Sequence, residues 1–527
     1  METVLIDGRW QASRDSAGSF RAEDPARGVA IGPEFPVSGR GDLDALLRAA
    51  THVAPLLART EPERIAAFLD AYADGIEAAR AELVALAHAE TALPIEPRLN
   101  SVELPRTVDQ LRQAARAARE LSWTQPTIDT RTNLRAHFAP LGKPVVVFGP
   151  NNFPLAFNAV AGSDFACALV ARHPVIAKVH PSHPQTSRRL AELAHAALAT
   201  AGLPPETVQL VYQLPNELGL ALVADPRVGA VGFTGSRTGG LALKAAADRA
   251  GVPLYAELSS VNPVFMLPGA LIERGAAITD EFVGACTAGT GQFCTNPGLV
   301  IVPDDAGGAA FVAAATERFR AATPGVLLGR GVLEHLENSL AALRAAGAEP
   351  LVGGERGTGE GYRFQPTLLR IDAERFLAHT AALQTEAFGP AALLVVARDA
   401  DAMVAIAAAL EGNLTGSLYS ARDGRDDDVA TKISIVLRSR VGRLLNDKMP
   451  TGVAVSAAMN HGGPYPASSH AGFTSVGIPT AVRRFAALHC YDAVRTTRLP
   501  AELRDRNPTG SLQRCIDGVW SSADIDA

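Results

Sequence analysis

PVVVFGPNNFP, Pro144 to Pro154, decides how this chain is read. Four apolar residues, three of them β-branched, run from Val145 to Phe148 and stop at Gly149-Pro150, which punctuates a strand's end. A strand apolar on both faces belongs inside a parallel sheet. The design recurs downstream. VIAKVHP (175–181) leads to SRRLAELAHAALATAG (187–202), VQLVY (208–212) to NELGLALVA (216–224), and VGAVGFTGS (228–236) to GGLALKAAADRAG (239–251). After the first strand, the pattern predicts a helix through Phe157 to Ala171. Strand, loop and helix repeated in this way predict an α/β fold with a doubly wound parallel sheet covered on both faces.

Working outward, apolar residues recur at helical spacing through residues 41–120, in DLDALLRAATHVAPLLA and ERIAAFLDAYADGIEAARAELVALA. A second alternation begins near Asn262, with strands PVFML, LVIVP and AALLVVAR and helices around Ile278–Ala288, FVAAATERFRAAT and DAMVAIAAALEG. Two α/β regions in 527 residues imply two domains with chemistry in the crevice between them. WTQPTIDTRTNLRAHFAP, Trp123 to Pro140, lacks a helical period and reads as a hairpin excursion. The tail from about Arg495, rich in Arg, Asp, Pro and Gly, is expected on the surface.

The bulk properties exclude several classes. A formal charge of -6 gives no general attraction to nucleic acid or anionic membrane. No apolar run reaches the ~18 residues of a membrane span, and the N-terminus METVLIDGRWQASRD has no secretory pattern. Cys167, Cys286, Cys294, Cys490 and Cys515 are scattered, with no C-x-x-C. That spacing predicts reduced thiols in a cytoplasmic setting, with neither a disulfide frame nor a metal site.

Chemistry concentrates at the strand ends. GQFCTNPG (291–298) sets Cys294 among small and turn-forming residues, 37 positions after Glu257 in ELSSVNP. A thiol nucleophile and a carboxylate base are the minimum set for covalent chemistry on a carbonyl; a cysteine in such a turn is also commonly a small buried hydrophobe. A partly buried Glu257 with a raised pKa can act as a base near neutrality. Asn152, in FGPNNFP, can donate to an oxyanion or cap a helix. GFTGSRTGG (232–240), with Gly235 and Ser236, suits a phosphate or an ordinary capped turn. Lys178 ends VIAK, where it can reach ligand hydroxyls or phosphate, or simply be solvated.

Together with Glu386 and Phe388 in QTEAFGP, the series Asn152, Lys178, GFTGS, Glu257 and Cys294 resembles the NAD(P)-dependent aldehyde dehydrogenase superfamily from about Val4 into the 480s. The resemblance implies a Rossmann-like cofactor domain (1–123 and 143–257), a catalytic domain (258–445) and a small β oligomerisation element with the tail (124–142 and 446–527). It also implies Cys294 as nucleophile, Glu257 as general base and Asn152 as oxyanion donor. Lys178 would hold the adenosine ribose, Ser236 beside Gly235 the pyrophosphate, and Glu386 the nicotinamide ribose, with Phe388 packed near the nicotinamide. A homodimer or homotetramer is implied, assembled through the hairpin and a C-terminal strand.

The C-terminal half narrows the resemblance. PTGVAVSAAMNHGGPYPASSH (450–470), TSVG, LPAELRDRNPTG and ELSSVNPVF look like the α-ketoglutaric semialdehyde dehydrogenase branch, which oxidises 2,5-dioxopentanoate to 2-oxoglutarate. Succinic or glutaric semialdehyde, or broad aliphatic aldehydes, are the alternative substrates; a non-redox thiol hydrolase is the rival activity. Where the family's NAD pattern K-x-x-E has glutamate, this chain has Pro181. That loss favours NADP with NAD also accepted, and His180 is positioned in sequence to assist. His461 is a candidate for the far carboxylate of a diacid semialdehyde, and Phe153, Phe157 and Phe293 are candidates for the tunnel wall.

Overall fold

Four strands read from the sequence lie in one sheet with Leu254–Glu257, in the order Leu254–Glu257, Ala230–Thr234, Val145–Phe148, Val175–Lys178, Val208–Val211, all parallel. The structure, a computed structural model, describes residues 1–525. Val4–Ile6 and Arg9–Gln11 extend the far edge antiparallel. The chain starts at the central Val145–Phe148, works outward to Val208–Val211, then returns to the other side with Ala230–Thr234. That reversal opens a crevice beyond the strands' carboxyl ends, where sheets of this kind bind ligands. Register brings the ends level: Phe148 pairs with Lys178, and Thr234 with Glu257.

The helical region resolves into Arg40–Leu57, Pro62–Ala78, Arg80–Thr91 and Leu104–Glu120. In Pro62–Ala78 the buried residues Ile65, Phe68, Leu69, Tyr72, Ala73 and Ile76 recur every three or four positions. This apolar stripe packs on the helices Leu104–Glu120, Pro184–Ala201 and Ser163–Val170, and belongs with the sheet to one continuous core.

The helix expected from Phe157 begins only at Ser163 and ends at Val170. Asn158 holds residues 154–162 out of helix. Its amide donates to Pro154 O at 2.8 Å and to Ser187 Oγ at 2.9 Å, and its Oδ1 accepts from Val160 N at 3.1 Å. Leu155, Ala156, Ala159, Val160 and Ala161 are completely buried in this loop. Apolar residues in a buried loop carry no period that separates them from a helix.

The second sheet runs Glu349–Val352, Thr367–Asp372, Ala391–Ala397, Leu299–Pro303, Val264–Met266, Asn413–Tyr419, Val441–Asn446. All neighbours are parallel except the first pair. A third sheet holds the excursion hairpin, Thr127–Asp129 with Leu134–Pro140, between Ala486–Asp492 and Arg514–Ile516, with Val519–Ser521 beyond. The tail is thus largely exposed, as expected, but it is anchored to this sheet. Leu499 and Leu503 bury against Ile128, and the wholly buried Arg514 donates to the carbonyls of Arg504 at 2.5 Å and Asp505 at 3.1 Å. Its Arg- and Asp-rich composition serves internal polar contacts. The final two positions of the segment 446–527 lie outside the described residues. No helix of the described residues is long and apolar enough to cross a membrane.

Candidate active site

A cleft of about 1560 Å³ opens at the reversal point, lined by Asn152, Lys178, His180, Gly235, Ser236, Glu257, Cys294, Glu386 and Phe388, but not by the other candidates His461, Phe153, Phe157 and Phe293. Glu257 ends its strand, Lys178 ends another, and Gly235 and Ser236 follow Thr234. Asn152 sits in the loop after Phe148. The second sheet's side contributes Cys294, Glu386 and Phe388, so the cleft lies between the two sheets.

Cys294 leaves a tight turn in which Gly289, Thr290 and Gly291 all have positive φ (53°, 58° and 67°). Gly291 is required twice over. A β-carbon there would lie 2.1 Å from Gly389 O, so this close approach locks the cysteine turn against the loop that carries Glu386 and Phe388. On the other flank, the Asn262 amide donates to Cys294 O and Asn296 O, each at 2.9 Å. Asn262 is itself held by Ser260 Oγ at 2.9 Å and Thr415 Oγ1 at 2.9 Å, while Asn413 Oδ1 accepts from Val261 N at 3.0 Å. The sulfur's position is thereby fixed by the SSVNP segment and a buried polar strand.

Asn152 is 6% exposed and donates from Nδ2 to Gln292 O at 3.0 Å, which brings its amide beside the cysteine turn. The adjacent helix begins at Ser163 behind Gly162, so Asn152 is not its cap. Its second amide hydrogen is available to an oxygen developing at the carbon that Cys294 attacks.

His461 departs from expectation. Instead of marking the far end of a tunnel, its Nε2 lies 3.2 Å from Cys294 Sγ and 2.7 Å from Glu257 Oε1. The contact with Oε1 is an ion pair and not an aligned hydrogen bond. Burial alone would lower the proton affinity of His461; the Glu257 carboxylate and the Cys294 sulfur outweigh it and hold its pKa up to about 10. A cation beside a cysteine sulfur favours the thiolate, the reactive form, over the thiol. Glu257 also accepts a short hydrogen bond from Ser475 Oγ. The loop Pro450–Ser475 thus carries groups that composition alone did not place here. The signal available was His461 in a Gly-rich loop, ambiguous between ligand and loop contact. The ligand atoms of Glu257, Cys294 and His461 lie within 4.8 Å of one another.

The rest of the cleft fits a dinucleotide. Ser236 caps the helix Arg237–Arg249, accepting from Gly239 N at 3.3 Å, so the capped-turn reading holds and the helix's positive end still faces the loop. Gly235 packs against its own strand: a β-carbon there would lie 2.9 Å from the Phe233 ring. Burial lowers the pKa of Lys178 to about 8. Burial, with His183 and Lys178 nearby, holds His180 well below its ordinary value, and its Nδ1 accepts from Ser182 N at 3.2 Å. His180 is therefore a neutral donor and adds no positive charge. Arg237 is paired with Glu411. Burial raises the pKa of Glu386, whose Oε1 accepts from Ser260 N at 3.4 Å.

Beside the thiol, Phe153, Phe157 and Phe293 form the expected wall, with centroid separations of 5.2 and 5.6 Å from Phe153 to the other two. All five cysteines are free. Cys167 and Cys286 are fully buried, with thiols pushed up to about 12 by that burial, which leaves them inert beside Cys294.

Residues 10–463 match the aldehyde dehydrogenase family. Alpha-ketoglutaric semialdehyde dehydrogenase 2 of Azospirillum brasilense is 40% identical over 526 residues, covering 96% of this chain and 97% of that protein. Alpha-ketoglutaric semialdehyde dehydrogenase of Acinetobacter baylyi is 34% identical, covering 91% of each. Among solved structures, the NAD+ complex of an aldehyde dehydrogenase from Bacillus cereus shares the fold, with a TM-score of 0.79 at 20% identity over 94% of this chain and 97% of that one.

Proposed function

The chain belongs to the aldehyde dehydrogenase family and oxidises aldehydes with NAD(P); from that premise we propose that its substrate is α-ketoglutaric semialdehyde (2,5-dioxopentanoate), converted to 2-oxoglutarate. Two relatives named for that activity, one of them 40% identical over nearly the whole chain, support this reading.

In this reading the Cys294 thiolate, held against the His461 imidazolium, attacks the aldehyde carbon. The alkoxide of the resulting thiohemiacetal takes hydrogen bonds from the Asn152 amide and the Cys294 backbone N–H. Bound NAD(P) supplies the hydride acceptor. Once the sulfur is esterified it no longer carries charge, and His461 keeps only Glu257 as an anionic partner. Glu257 then takes a proton from the water that hydrolyses the thioester, and the thiolate returns to its imidazolium. Lys178, Ser236 and Glu386 are the groups that hold the cofactor in this scheme.

NADP with NAD also accepted is the cofactor reading. Pro181 stands where a carboxylate would repel a 2′-phosphate, and Lys178 supplies a nearby cation. Assembly as a homodimer or homotetramer is supported by the open edge Ala486–Asp492, where Leu488 is 68% exposed. A cytoplasmic setting rests on the cysteine usage alone.

The observation that carries the reading is the convergence of the Glu257 carboxylate, the Asn152 amide and the Cys294 sulfur, with His461 against that sulfur, at the cleft lined by Lys178, Ser236 and Glu386. Initial rates with α-ketoglutaric, succinic and glutaric semialdehydes and simple alkanals, each with NAD and NADP, test it. Alkanals oxidised faster than every diacid semialdehyde would overturn the substrate. The Cys294–His461 pair is also the equipment of a thiol hydrolase, and ester cleavage without NAD(P)H formation from any aldehyde would favour that second reading.

A further inference from the structure

The wall beside Cys294 is apolar, built from Phe153, Ala156, Phe157 and Val476 with Phe293, Val453 and Met459 packed on it. Three guanidiniums border it, and their charges are met differently. Arg98 lies 4.4 Å from the Phe153 ring centroid but pairs with buried Glu103 and donates to Asn152 O at 2.9 Å. Glu103 is further satisfied by the N–H groups of Leu155 at 2.8 Å and Ala156 at 3.0 Å. Arg443 donates to Pro450 O at 2.7 Å and Gly452 O at 3.1 Å, which pins the loop that leads to His461.

Arg106, in the first turn of the helix Leu104–Glu120, is different. Its guanidinium carbon stands 5.3 Å from the Phe157 centroid. One Nη donates to the Val453 carbonyl, its only acceptor among the described residues. Nε and the other Nη are buried with no partner. Burial works against the charge, while Glu103, Cys294 and Glu257 are close enough to act on it in the opposite sense. Leaving two donors of a guanidinium unsatisfied inside an apolar wall is costly unless an entering group completes them. A carboxylate does so with the matching two-pronged geometry.

We propose that Arg106 is the specificity residue for anionic aldehydes: its guanidinium receives the terminal carboxylate while the aldehyde carbon sits at Cys294. The assignment rests on the substrate reading above and adds the group that enforces it. No other guanidinium on this wall has more than one free donor.

The test compares kcat/KM for 2,5-dioxopentanoate with that for pentanal, a neutral chain of equal length, in wild type, Arg106→Met and Arg106→Lys. The expected result is a fall of about 100-fold in the ratio for Arg106→Met, the range for truncating one partner of a buried charge pair. Arg106→Lys, which keeps charge but loses the fork, should fall between the two. In parallel, 2-oxoglutarate should inhibit pentanal oxidation by wild type competitively and lose most of that effect in both variants, a measurement that survives poor yield of either one. A wild-type preference for the anion that persists in Arg106→Met overturns the assignment alone. Absence of that preference in wild type overturns the substrate reading and this assignment together.

Discussion

Nε2 of His461 lies 3.2 Å from Sγ of Cys294, across 167 residues of chain, and this contact joins the loop that carries the imidazole to the cysteine turn. The charged imidazole has a folded pKa of about 10 against an ordinary 6.5. Its proton is bound in the folded state and lost from the unfolded chain between those values. Stabilisation by this pair is therefore complete below pH 6.5 and is lost as pH rises through about 10. Thermal unfolding followed from pH 7 to 10 should show Tm falling with pH in the wild type, and a flatter profile in His461→Asn. At pH 7, iodoacetamide should label Cys294 about tenfold more slowly in that variant, the loss expected when a neighbouring cation no longer holds the thiolate. An unchanged labelling rate would mean the imidazolium does not govern the sulfur.

Glu257→Gln separates the two half-reactions. Its carboxylate faces His461 at 2.7 Å and is 4% exposed. If Glu257 is the base of deacylation, the variant should release one burst of NAD(P)H per site and then stall. Steady-state kcat should fall about 10²–10⁴-fold, the usual contribution of general base catalysis. Intact-mass spectrometry of the stalled protein should find the acyl group on Cys294. Loss of the burst itself would place Glu257 in thiolate formation instead.

What the sequence made legible, and what it did not, divides along one physical line. The parallel strands around Val145–Phe148 are buried on both faces, so their β-branched runs announce themselves. The site residues at their carboxyl ends follow from that alternation and from the spacing of Glu257 and Cys294. Asn413–Tyr419 stayed hidden because Asn413, Thr415 and Ser417 are polar yet wholly internal; two of them position Val261 and Asn262 rather than pattern a sheet. Within the tail, Arg514 hid for the same reason, since it is buried by carbonyls nine and ten residues away on either side. His461 was visible as a residue, but its partners arrive only through the third dimension.

Asn152→Ala tests the oxyanion donor. The amide already donates to Gln292 O, so part of any effect is structural. Loss of the remaining donor should cost about 3 kcal/mol of transition-state stabilisation, or roughly 10²–10³ in kcat. Dinucleotide affinity, read by fluorescence quenching, should change little. A rise in KM with kcat preserved would show that Asn152 serves binding and not the developing charge.

Pro181→Glu addresses the cofactor. Burial leaves Lys178 with a pKa of about 8 and His180 neutral, so at pH 7 Lys178 is the charged member of that pair. A carboxylate at 181 should repel a 2′-phosphate and accept a ribose hydroxyl. The kcat/KM ratio of NADP to NAD is expected above one in the wild type and about tenfold lower in the variant, the size of one modest charge interaction. A wild-type ratio far below one would show that the missing carboxylate does not set the preference.

Gly291→Ala reaches the chemistry through the backbone. The position combines φ of 67° with a would-be β-carbon 2.1 Å from Gly389 O, so neither torsion nor space admits a side chain. The left-handed strain alone costs about 1–2 kcal/mol, and relief of the clash must push the cysteine turn away from the Glu386 loop. Both halves of the site should suffer together: weaker dinucleotide binding by calorimetry and slower Cys294 alkylation in the same protein. Alkylation impaired with dinucleotide affinity intact would mean that the two loops are not mechanically joined at this glycine.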